Sequence, residues 1–289
     1  MSSFILPRAL REDPAQFDGL SLDRRDPVYI RDYMIFLELM YRYWFRVEAR
    51  GFGNIPDGPA IVVGNHNGGL LTPDTAMTAQ AWFQSRGAET PAYALIHPAI
   101  FKMPWLNVHA MKLGGVQATP RMAERVLEAG HPLLLYPGGG ADAYKSYWQR
   151  NEIRLGDNTG FVRLAMRFGA PIVPVVSIGG HETLIVLSEG RRLAEVTGLA
   201  KLGIERVPVS ITFPWGLTLG APVHVPFPVK IVIEVGRPIE LKGFEHVAAR
   251  SSAAVRHAHS HIVTLMQRML NRLAEERAHE RQEPAGLSP

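Results

Sequence analysis

The sequence contains no cysteine among its 289 residues. This absence excludes disulfide bonds, catalysis by a thiol and zinc sites with cysteine ligands, but it does not determine the compartment. The sequence also has no apolar run of about 18 residues, the length that a membrane-spanning helix requires. Residues 1–26 contain no apolar stretch typical of a signal peptide. From these absences we predict a cytoplasmic protein without a spanning helix.

Neither sign of charge dominates the composition. There are 31 basic and 27 acidic residues, which gives a formal net charge of +4. A nucleic-acid-binding protein usually shows a much stronger basic excess, so no nucleic-acid partner is expected. The mild excess is compatible with an anionic membrane surface. The apolar fraction of 46% is typical of a globular protein with a buried core.

Short apolar strands alternate with helical segments along the chain. The predicted strands are 60–63, 92–96, 132–136, 172–178 and 229–235, and the predicted helices are 30–47, 73–86, 119–129, 161–168, 184–202 and 244–280. Segment 106–117 is predicted to be irregular. Because the strands are apolar on both faces, we predict one α/β domain with a mostly parallel central sheet flanked by helices. The domain is expected at 27–280, between a flexible arm, 1–26, and a disordered tail, 281–289.

The first helical segment, 30–47, has an unusually wide apolar face and a narrow polar stripe. An amphipathic helix of this kind either packs on the core of its domain or lies in a membrane interface. Tyrosine and tryptophan beside arginine favour the interface. The sequence leaves both interpretations open, and for the interface we expect peripheral attachment to the inner face of the membrane.

A histidine and an aspartate, His66 and Asp74, follow the strand at 60–63 and are separated by a turn rich in glycine. A helix is predicted to begin at the proline after Thr72, with Thr72 as its N-cap. A turn that folds back brings the His66 ring within hydrogen-bond reach of Asp74. The carboxylate would orient one ring nitrogen, and the other would accept a proton from a hydroxyl group. The alternative is a structural hydrogen bond.

A second apolar strand, 132–136, ends in a loop with three consecutive glycines, Gly138, Gly139 and Gly140. Glycines at such a position let backbone N–H groups approach a ligand or form a nest for a negatively charged oxygen. The alternative is an ordinary turn. Downstream, His257 and His261 have the spacing of a helical metal site, but no acidic ligand is in register, and we predict no metal.

Together these blocks resemble the glycerolipid acyltransferases, also called the lysophospholipid acyltransferase superfamily, and in particular its diacylglycerol-acyltransferase-like branch. The resemblance is carried, in matching order, by Asn65-His66 with Asp74, by 114–121, by Tyr136-Pro137-Gly138-Gly139, by 170–176 and by 226–239. It covers roughly residues 45 to 240. Seven residues separate His66 from Asp74, where the superfamily usually has four.

The resemblance implies acyl transfer by a His66–Asp74 dyad, with acyl-CoA as co-substrate, a lipid hydroxyl as acceptor and no cofactor. It also implies a set of substrate-binding residues, namely Asn65, Gly68, Gly69, Arg121, Pro137, Gly138, Gly139, Gly140, Asp142 and Lys145. An apolar channel for the acyl chain is expected at Phe101, Met103, Trp105 and Leu106. His181 and Glu182 are secondary candidates at the end of the strand 172–178.

The glycine loop differs from the diacylglycerol-acyltransferase-like branch at one position, and this difference bears on the choice of acceptor. Ala141 stands where the branch has an arginine, the natural bidentate partner of a phosphate. A neutral acceptor, such as a diacylglycerol or a lipid alcohol, is therefore favoured over lysophosphatidic acid. Downstream, Lys145, Arg150 and Arg154 either replace the charge or form a solvated basic face. Two other functions stay open: a lipid ester hydrolase with the same dyad, and a non-catalytic lipid-binding protein.

Overall fold

A computed structural model describes residues 12–202, 206–241 and 251–282. Its strands are β1 (Glu48–Arg50), β2 (Ala60–Gly64), β3 (Tyr93–Ile96), β4 (Gly115–Gln117), β5 (Pro132–Leu135), β6 (Ile172–Ile178), β7 (Ile185–Ser188), β8 (Val209–Thr212), β9 (Gly216–Leu219) and β10 (Val232–Val235). Seven of them form a sheet in the order β1-β10-β6-β2-β5-β3-β4, and β7-β8-β9 form a second sheet.

The central sheet is mostly parallel, as the sequence predicts. Strands β4, β3, β5, β2 and β6 all run in the same direction, whereas β10 is antiparallel to β6. Every residue of β2 is buried, and so is every residue of β6. The carboxyl ends of the five parallel strands therefore lie at the same edge of the sheet, and this is the edge at which ligands of α/β proteins usually bind.

Helices cover both faces of this sheet. They are α1 (Pro27–Leu39), α2 (Pro73–Arg86), α3 (Leu106–Lys112), α4 (Pro120–Glu128), α5 (Gly139–Ala143), α6 (Gly160–Phe168), α7 (Arg191–Val196) and α8 (Ser252–Gln282). Side chains of β2 alternate between the two layers. Ile61 and Val63 pack in the cluster with α4, α6 and α8, whereas Val62 packs in the cluster with α1 and α2.

Several segments differ from their predicted structure. The segment 106–117 contains α3 and the edge strand β4, and it is not irregular. The predicted helix 184–202 is wrong at its start, because Ile185–Ser188 pairs with β8 and forms β7. The last predicted strand begins at Val232 and not at 229. The predicted start of the long helix, 244–250, lies outside the described residues.

Part of the predicted flexible arm packs onto the domain. Phe17 is 2% exposed and lies in a cluster with Tyr29 and Phe101. The amide of Asn107 donates to the carbonyl oxygens of Pro14 and Phe17. Residues 12–26 therefore do not form a loosely held arm, because an aromatic anchor and two hydrogen bonds fix them. Residues 1–11 and 283–289 lie outside the described part of the chain, and α8 continues to residue 282.

One side of α1 packs on the core, and its other side presents apolar groups to the surface. Ile30 and Leu37 are buried. Ile35, Phe36 and Leu39, together with Tyr43 in the turn that follows, are more than half exposed. The helix therefore packs on the core, and its exposed apolar side leaves the membrane interpretation as a prediction. In the part of the chain that is described, no helix has the length and apolarity needed to cross a bilayer.

Candidate active site

The turn after β2 is fixed to the neighbouring strand β6 by Asn65. Its side-chain oxygen accepts from the Ser177 N–H at 2.8 Å, and its amide nitrogen donates to the Ser177 carbonyl oxygen at 3.0 Å. These bonds replace the backbone pairing that ends where β2 ends. Because Asn65 is 1% exposed and both ends of its amide are engaged, it holds the turn in place and is not positioned to bind a substrate, contrary to the prediction.

The turn does bring His66 and Asp74 together, despite the long spacing. Asp74 lies in the first turn of α2 and is 1% exposed. Its Oδ2 atom is 3.1 Å from His66 Nδ1 and accepts from the Asn67 N–H at 3.0 Å. Because a carboxylate only accepts, Nδ1 carries the hydrogen, and Nε2 is the nitrogen left to take a proton. The carboxylate thus fixes both the ring and the backbone of the turn.

Glycines allow this turn to fold so tightly. Gly68 and Gly69 have φ values of +82° and +65°, a region that side chains disfavour. A Cβ on Gly68 would lie 2.3 Å from Pro73 Cδ. These two glycines shape the turn, so their predicted substrate-binding role is not needed to explain them. Thr72 is the N-cap residue of α2 and proline follows at the first helical position, as predicted, although the φ of Thr72 is 41° and its side chain makes no capping bond.

The ring of His66 is packed on one face and open at its rim. It stacks on the ring of Tyr136 with centroids 4.5 Å apart and an angle of 21° between the planes. The approach requires Gly64, because a Cβ there would lie 2.4 Å from Tyr136 Cε1. The His66 side chain is 16% exposed. The sequence did not indicate that Tyr136 supports the His66 ring. Stacking between side chains of two separate loops leaves no local pattern in the sequence.

Two carboxylates control the charge of His66. Burial lowers the pKa of the ring, but the nearby Asp74 and Asp142 carboxylates raise it by more, so the pKa lies above its ordinary value of 6.5. His181 shows the opposite behaviour. It is 4% exposed, and burial holds the pKa of its ring well below the usual value. The lowered pKa keeps His181 neutral, whereas the raised pKa of His66 favours its protonated form.

Asp142 and Lys145 form a buried ion pair directly behind His66, and both side chains are 0% exposed. Asp142 Oδ2 accepts from the His66 N–H at 2.6 Å, and Oδ1 accepts from Lys145 Nζ at 2.7 Å. Lys145 also donates to the Glu152 carbonyl oxygen. Burial raises the pKa of the Asp142 carboxyl and lowers that of the Lys145 ammonium, and the ion pair opposes both shifts. The prediction that these residues bind substrate is wrong, because they join the loops that carry His66 and the glycines.

The glycine loop after β5 is close-packed at its start and open further on. A Cβ on Gly138 would lie 1.9 Å from the Arg154 carbonyl oxygen, so this glycine is needed for packing. The Gly139 N–H donates to the Tyr136 carbonyl oxygen at 3.1 Å. At Gly139 and Gly140 an added Cβ would meet no described atom within 4 Å. The loop, with the half-buried Pro137, therefore presents an open backbone surface next to the histidine.

The remaining predicted residues lie further from His66. Arg121 is exposed at the start of α4, three strand spacings from β2, which is about 14 Å. Phe101 is buried in the core, whereas Met103, Trp105 and Leu106 are exposed, so these four do not enclose the predicted channel.

The downstream arginines are paired with acids and do not form a free basic face. Arg154 bonds Glu189 at 2.6 Å, and Arg150 lies 3.9 Å from Glu182. Glu182 also binds Arg277 through two bonds of 2.7 and 2.9 Å. A groove of about 1540 Å³ begins beside the glycine loop, and its lining includes Ala141, Arg154, Glu189, Arg191, Arg192 and Arg206. Four arginines face two acids there, Asp157 and Glu189, so the groove carries a net positive charge, although three of the arginines share Glu189.

An α/β sheet with a His–Asp pair at the carboxyl end of its central strand is the architecture of the glycerolipid acyltransferases. The fold is similar to the crystal structure of the 1-acyl-sn-glycerophosphate acyltransferase PlsC from Thermotoga maritima, with a TM-score of 0.55 and 18% identity over 94% of this chain and 87% of that one. The sequence profile described as diacylglycerol acyltransferase matches residues 29–280. The chain therefore belongs to the diacylglycerol acyltransferase family, which confirms the resemblance and the predicted fold class.

Individual relatives match a smaller part of this chain than the family profile does. The uncharacterized protein Rv0502 of Mycobacterium tuberculosis is 34% identical over 205 residues, which are 70% of this chain and 54% of that protein. Human diacylglycerol O-acyltransferase 2 is 27% identical over 158 residues, which are 50% of this chain and 39% of that protein. The chain thus spans about half or less of the length of these curated relatives.

Proposed function

We propose that this protein is an acyltransferase that moves a fatty acyl group from acyl-CoA to the hydroxyl group of a neutral lipid. The observation that carries this proposal is the contact between His66 Nδ1 and Asp74, on a side chain that is 16% exposed. This arrangement leaves Nε2 as a base at the edge of the sheet where ligands bind. Family membership supports the reaction class.

The proposed reaction needs no covalent enzyme intermediate. His66 Nε2 takes the proton of the acceptor hydroxyl as its oxygen attacks the thioester carbonyl, and Asp74 stabilises the resulting imidazolium. The new ester C–O bond forms, the thioester C–S bond breaks, and the imidazolium returns the proton to the leaving thiolate. Because the Gly139 N–H already donates to the Tyr136 carbonyl oxygen, the open backbone at Gly140 is the candidate surface for the negatively charged oxygen that develops on the carbonyl.

The arginine-lined groove supports acyl-CoA as the donor. Coenzyme A carries several phosphate groups, and arginine is the natural partner of phosphate. The groove begins at Ala141, next to the open glycines. A donor with its phosphates in this groove would therefore have its thioester close to the loop that borders His66. An acidic donor fits this surface better than a neutral lipid ester does.

The surroundings of the loop support a neutral acceptor. Ala141 supplies no charge, Lys145 is bonded to Asp142 in the interior, and Arg150 and Arg154 lie against acids. Arg121 lies about 14 Å away along the sheet edge. An acceptor phosphate next to His66 would thus lose its hydration without gaining a cation, which is costly.

The acceptor preference is tested with purified protein, radiolabelled acyl-CoA and a panel of a diacylglycerol, a long-chain alcohol and lysophosphatidic acid. We expect the two neutral acceptors to react at least about tenfold faster, which corresponds to about 1.4 kcal/mol. Faster acylation of lysophosphatidic acid would contradict the acceptor assignment alone. Labelled free fatty acid without ester would indicate a hydrolase, and lipid binding without either product would indicate a non-catalytic protein.

The pH dependence of the rate should report the charge on His66. The base must be neutral, so the rate rises with pH through the pKa of the ring, and this limb should lie above pH 6.5 because the pKa is raised. Asp74→Asn removes the main cause of the raised pKa, so the limb should move to lower pH while the maximal rate falls about 10²-fold or more. Rate profiles between about pH 5 and 9 measure both. An unmoved limb in the variant would contradict the assignment of His66 as the base.

We also propose that the protein works at a membrane surface as a peripheral protein. The exposed apolar side chains of α1 support this, since a lipid acceptor resides in the bilayer and an amphipathic helix binds at its interface.

A further inference from the structure

The β8–β9 hairpin of the small sheet buries polar side chains and exposes apolar ones, the reverse of the usual arrangement in a water-exposed sheet. On its inner face, Ser210 and Thr212 are 1% and 2% exposed. On its outer face, Ile211 is paired with Leu217, which is 69% exposed, and Leu219 is 66% exposed. In an antiparallel sheet with one wet face, the apolar residues are normally the buried ones. An outer medium other than water explains the inversion.

The segment that carries β8 and β9 is free of formal charge. Between Arg206 and Lys230 the only titratable side chain is His224. The turn of the hairpin presents Phe213 and Trp215, which are 56% and 63% exposed. The indole N–H of Trp215 donates to the Val223 carbonyl oxygen at 2.8 Å. The ring therefore enters an apolar medium without carrying an unsatisfied donor.

The hairpin adjoins the exposed side of α1. Val225 N–H donates to the Phe213 carbonyl oxygen, and the indole of Trp44, just after α1, donates to the carbonyl oxygen of Pro226. The same segment reaches the active site, because Phe227 N–H donates to the carbonyl oxygen of Thr183. A Cβ on Gly68, in the turn that carries His66, would lie 3.1 Å from Thr183 Oγ1. These contacts tie segment 213–227 to the residues that follow α1 and to the border of the catalytic turn.

We infer that the β8–β9 hairpin, residues 209–219, is a membrane-docking element that seats the protein on a phospholipid bilayer beside its active site. Three short strands cover on the order of 200 Å², far below the about 800 Å² per partner of a standard protein interface, so a bilayer fits this face better than a second copy. Tryptophan at the tip of the hairpin is a residue that membrane interfaces favour. The inference rests on the proposed function only in taking the acceptor from a membrane.

Physical constraints limit how deep the hairpin goes. The outer edge of β9 has no further strand beside it among the described residues. Unpaired backbone groups are costly in hydrocarbon, so an open edge cannot lie in the bilayer core. The side chains of Phe213, Trp215 and Leu217 therefore enter the layer between headgroups and acyl chains, and the strands stay at headgroup level.

The absence of cysteine allows a direct test with one labelled position. Leu217→Cys, carrying an environment-sensitive nitrobenzoxadiazole dye, is compared with Leu20→Cys, which is at an exposed leucine beside the far edge strand β4. On vesicles of phosphatidylcholine with a minor share of phosphatidylglycerol, the dye at position 217 should shift to the blue and brighten severalfold, and the dye at position 20 should not. The double variant Trp215→Ser with Leu217→Ser should lower the vesicle-bound fraction at least fivefold, with Leu20→Ser as the matched control.

Each outcome separates the docking inference from the proposed function. An unchanged dye signal at position 217 while the protein floats with vesicles would overturn the inference. A signal that appears without vesicles and grows with protein concentration would also overturn it, because it indicates a second copy on this face. Repeating the labelling in the His66→Ala background should give the same shift. Docking in that background, or in a protein without acyl transfer, leaves the inference standing even where the proposed enzymatic function fails.

Discussion

Replacing His66 with alanine should lower acyl transfer about 10³-fold, a loss of about 4 kcal/mol of transition-state stabilisation. The ring is the group at the sheet edge whose protonation is set by an adjacent buried carboxylate. Without it, the acceptor hydroxyl must lose its proton to water while it attacks, and Asp74 has no ring to orient. Initial rates with labelled acyl-CoA and the best acceptor of the panel measure the effect.

The matched control for this variant is His257→Ala, at an exposed position on α8, which should keep its full rate. His66→Ala should still float with vesicles, since the hairpin and α1 are unchanged. A variant that retains more than about a tenth of the rate would contradict general-base catalysis by His66, because such catalysis usually contributes at least about 10²-fold. Loss of both rate and folding, seen as a changed circular dichroism spectrum, would call for His66→Gln as the test variant.

Replacing Lys145 with methionine should destabilise the protein by about 3–5 kcal/mol, because it leaves the buried Asp142 without its cation. Lys145 is 0% exposed, and its ammonium bonds both Asp142 Oδ1 and the Glu152 carbonyl oxygen. The lost partner turns a compensated buried charge into an uncompensated one, and the carboxyl responds by taking a proton. Urea unfolding followed by circular dichroism gives the free energy of unfolding.

The double variant Asp142→Asn with Lys145→Met should regain part of this loss, because it removes the stranded charge as well. Lys230→Met is the control: Lys230 pairs with Glu48 and Glu280 near the surface, and such pairs contribute about 0–1 kcal/mol. Equal destabilisation by Lys145→Met and Lys230→Met would show that the Asp142–Lys145 pair is not the buried clamp described above. Lys145→Met should also slow acyl transfer, since Asp142 holds the His66 backbone.

The buried Asp142–Lys145 pair gives the second motif, the glycine loop after β5, a structural role. The carboxylate of this motif, Asp142, is fully engaged inside the protein. One of its oxygens accepts from the His66 N–H, and the other accepts from Lys145. Asn65 and the Asn67 N–H fix the same turn from the side of β6 and α2. At least six hydrogen bonds therefore act on three consecutive residues, 65–67. These bonds fix the position of the proposed base, and position matters because a displacement of about 1 Å can lower the rate about 10²-fold.

Local signals were sufficient for much of the fold and for the central pair. Strand β2 could be predicted because a short β-branched run between turn residues has few alternatives, and helix α2 because proline marks its first turn. The contact of His66 with Asp74 follows from the same local geometry, since both residues belong to one turn. The predictions failed for 106–117 and 184–202, where local signals do not separate helix from strand. The strands in these two segments form because they pair with β3 and β8.

The sequence by itself determined a parallel α/β domain, the turn that joins His66 to Asp74, and the absence of cysteine chemistry, because each depends on neighbours in the chain. Only the tertiary structure decided that Asp142 and Lys145 are a buried clamp, that Tyr136 supports the His66 ring, and that the β8–β9 hairpin presents its apolar side outward. Those features join segments more than 60 residues apart, or depend on which face of a strand is covered. Contacts between distant segments leave no local pattern in the sequence, so they appear only when the chain is folded.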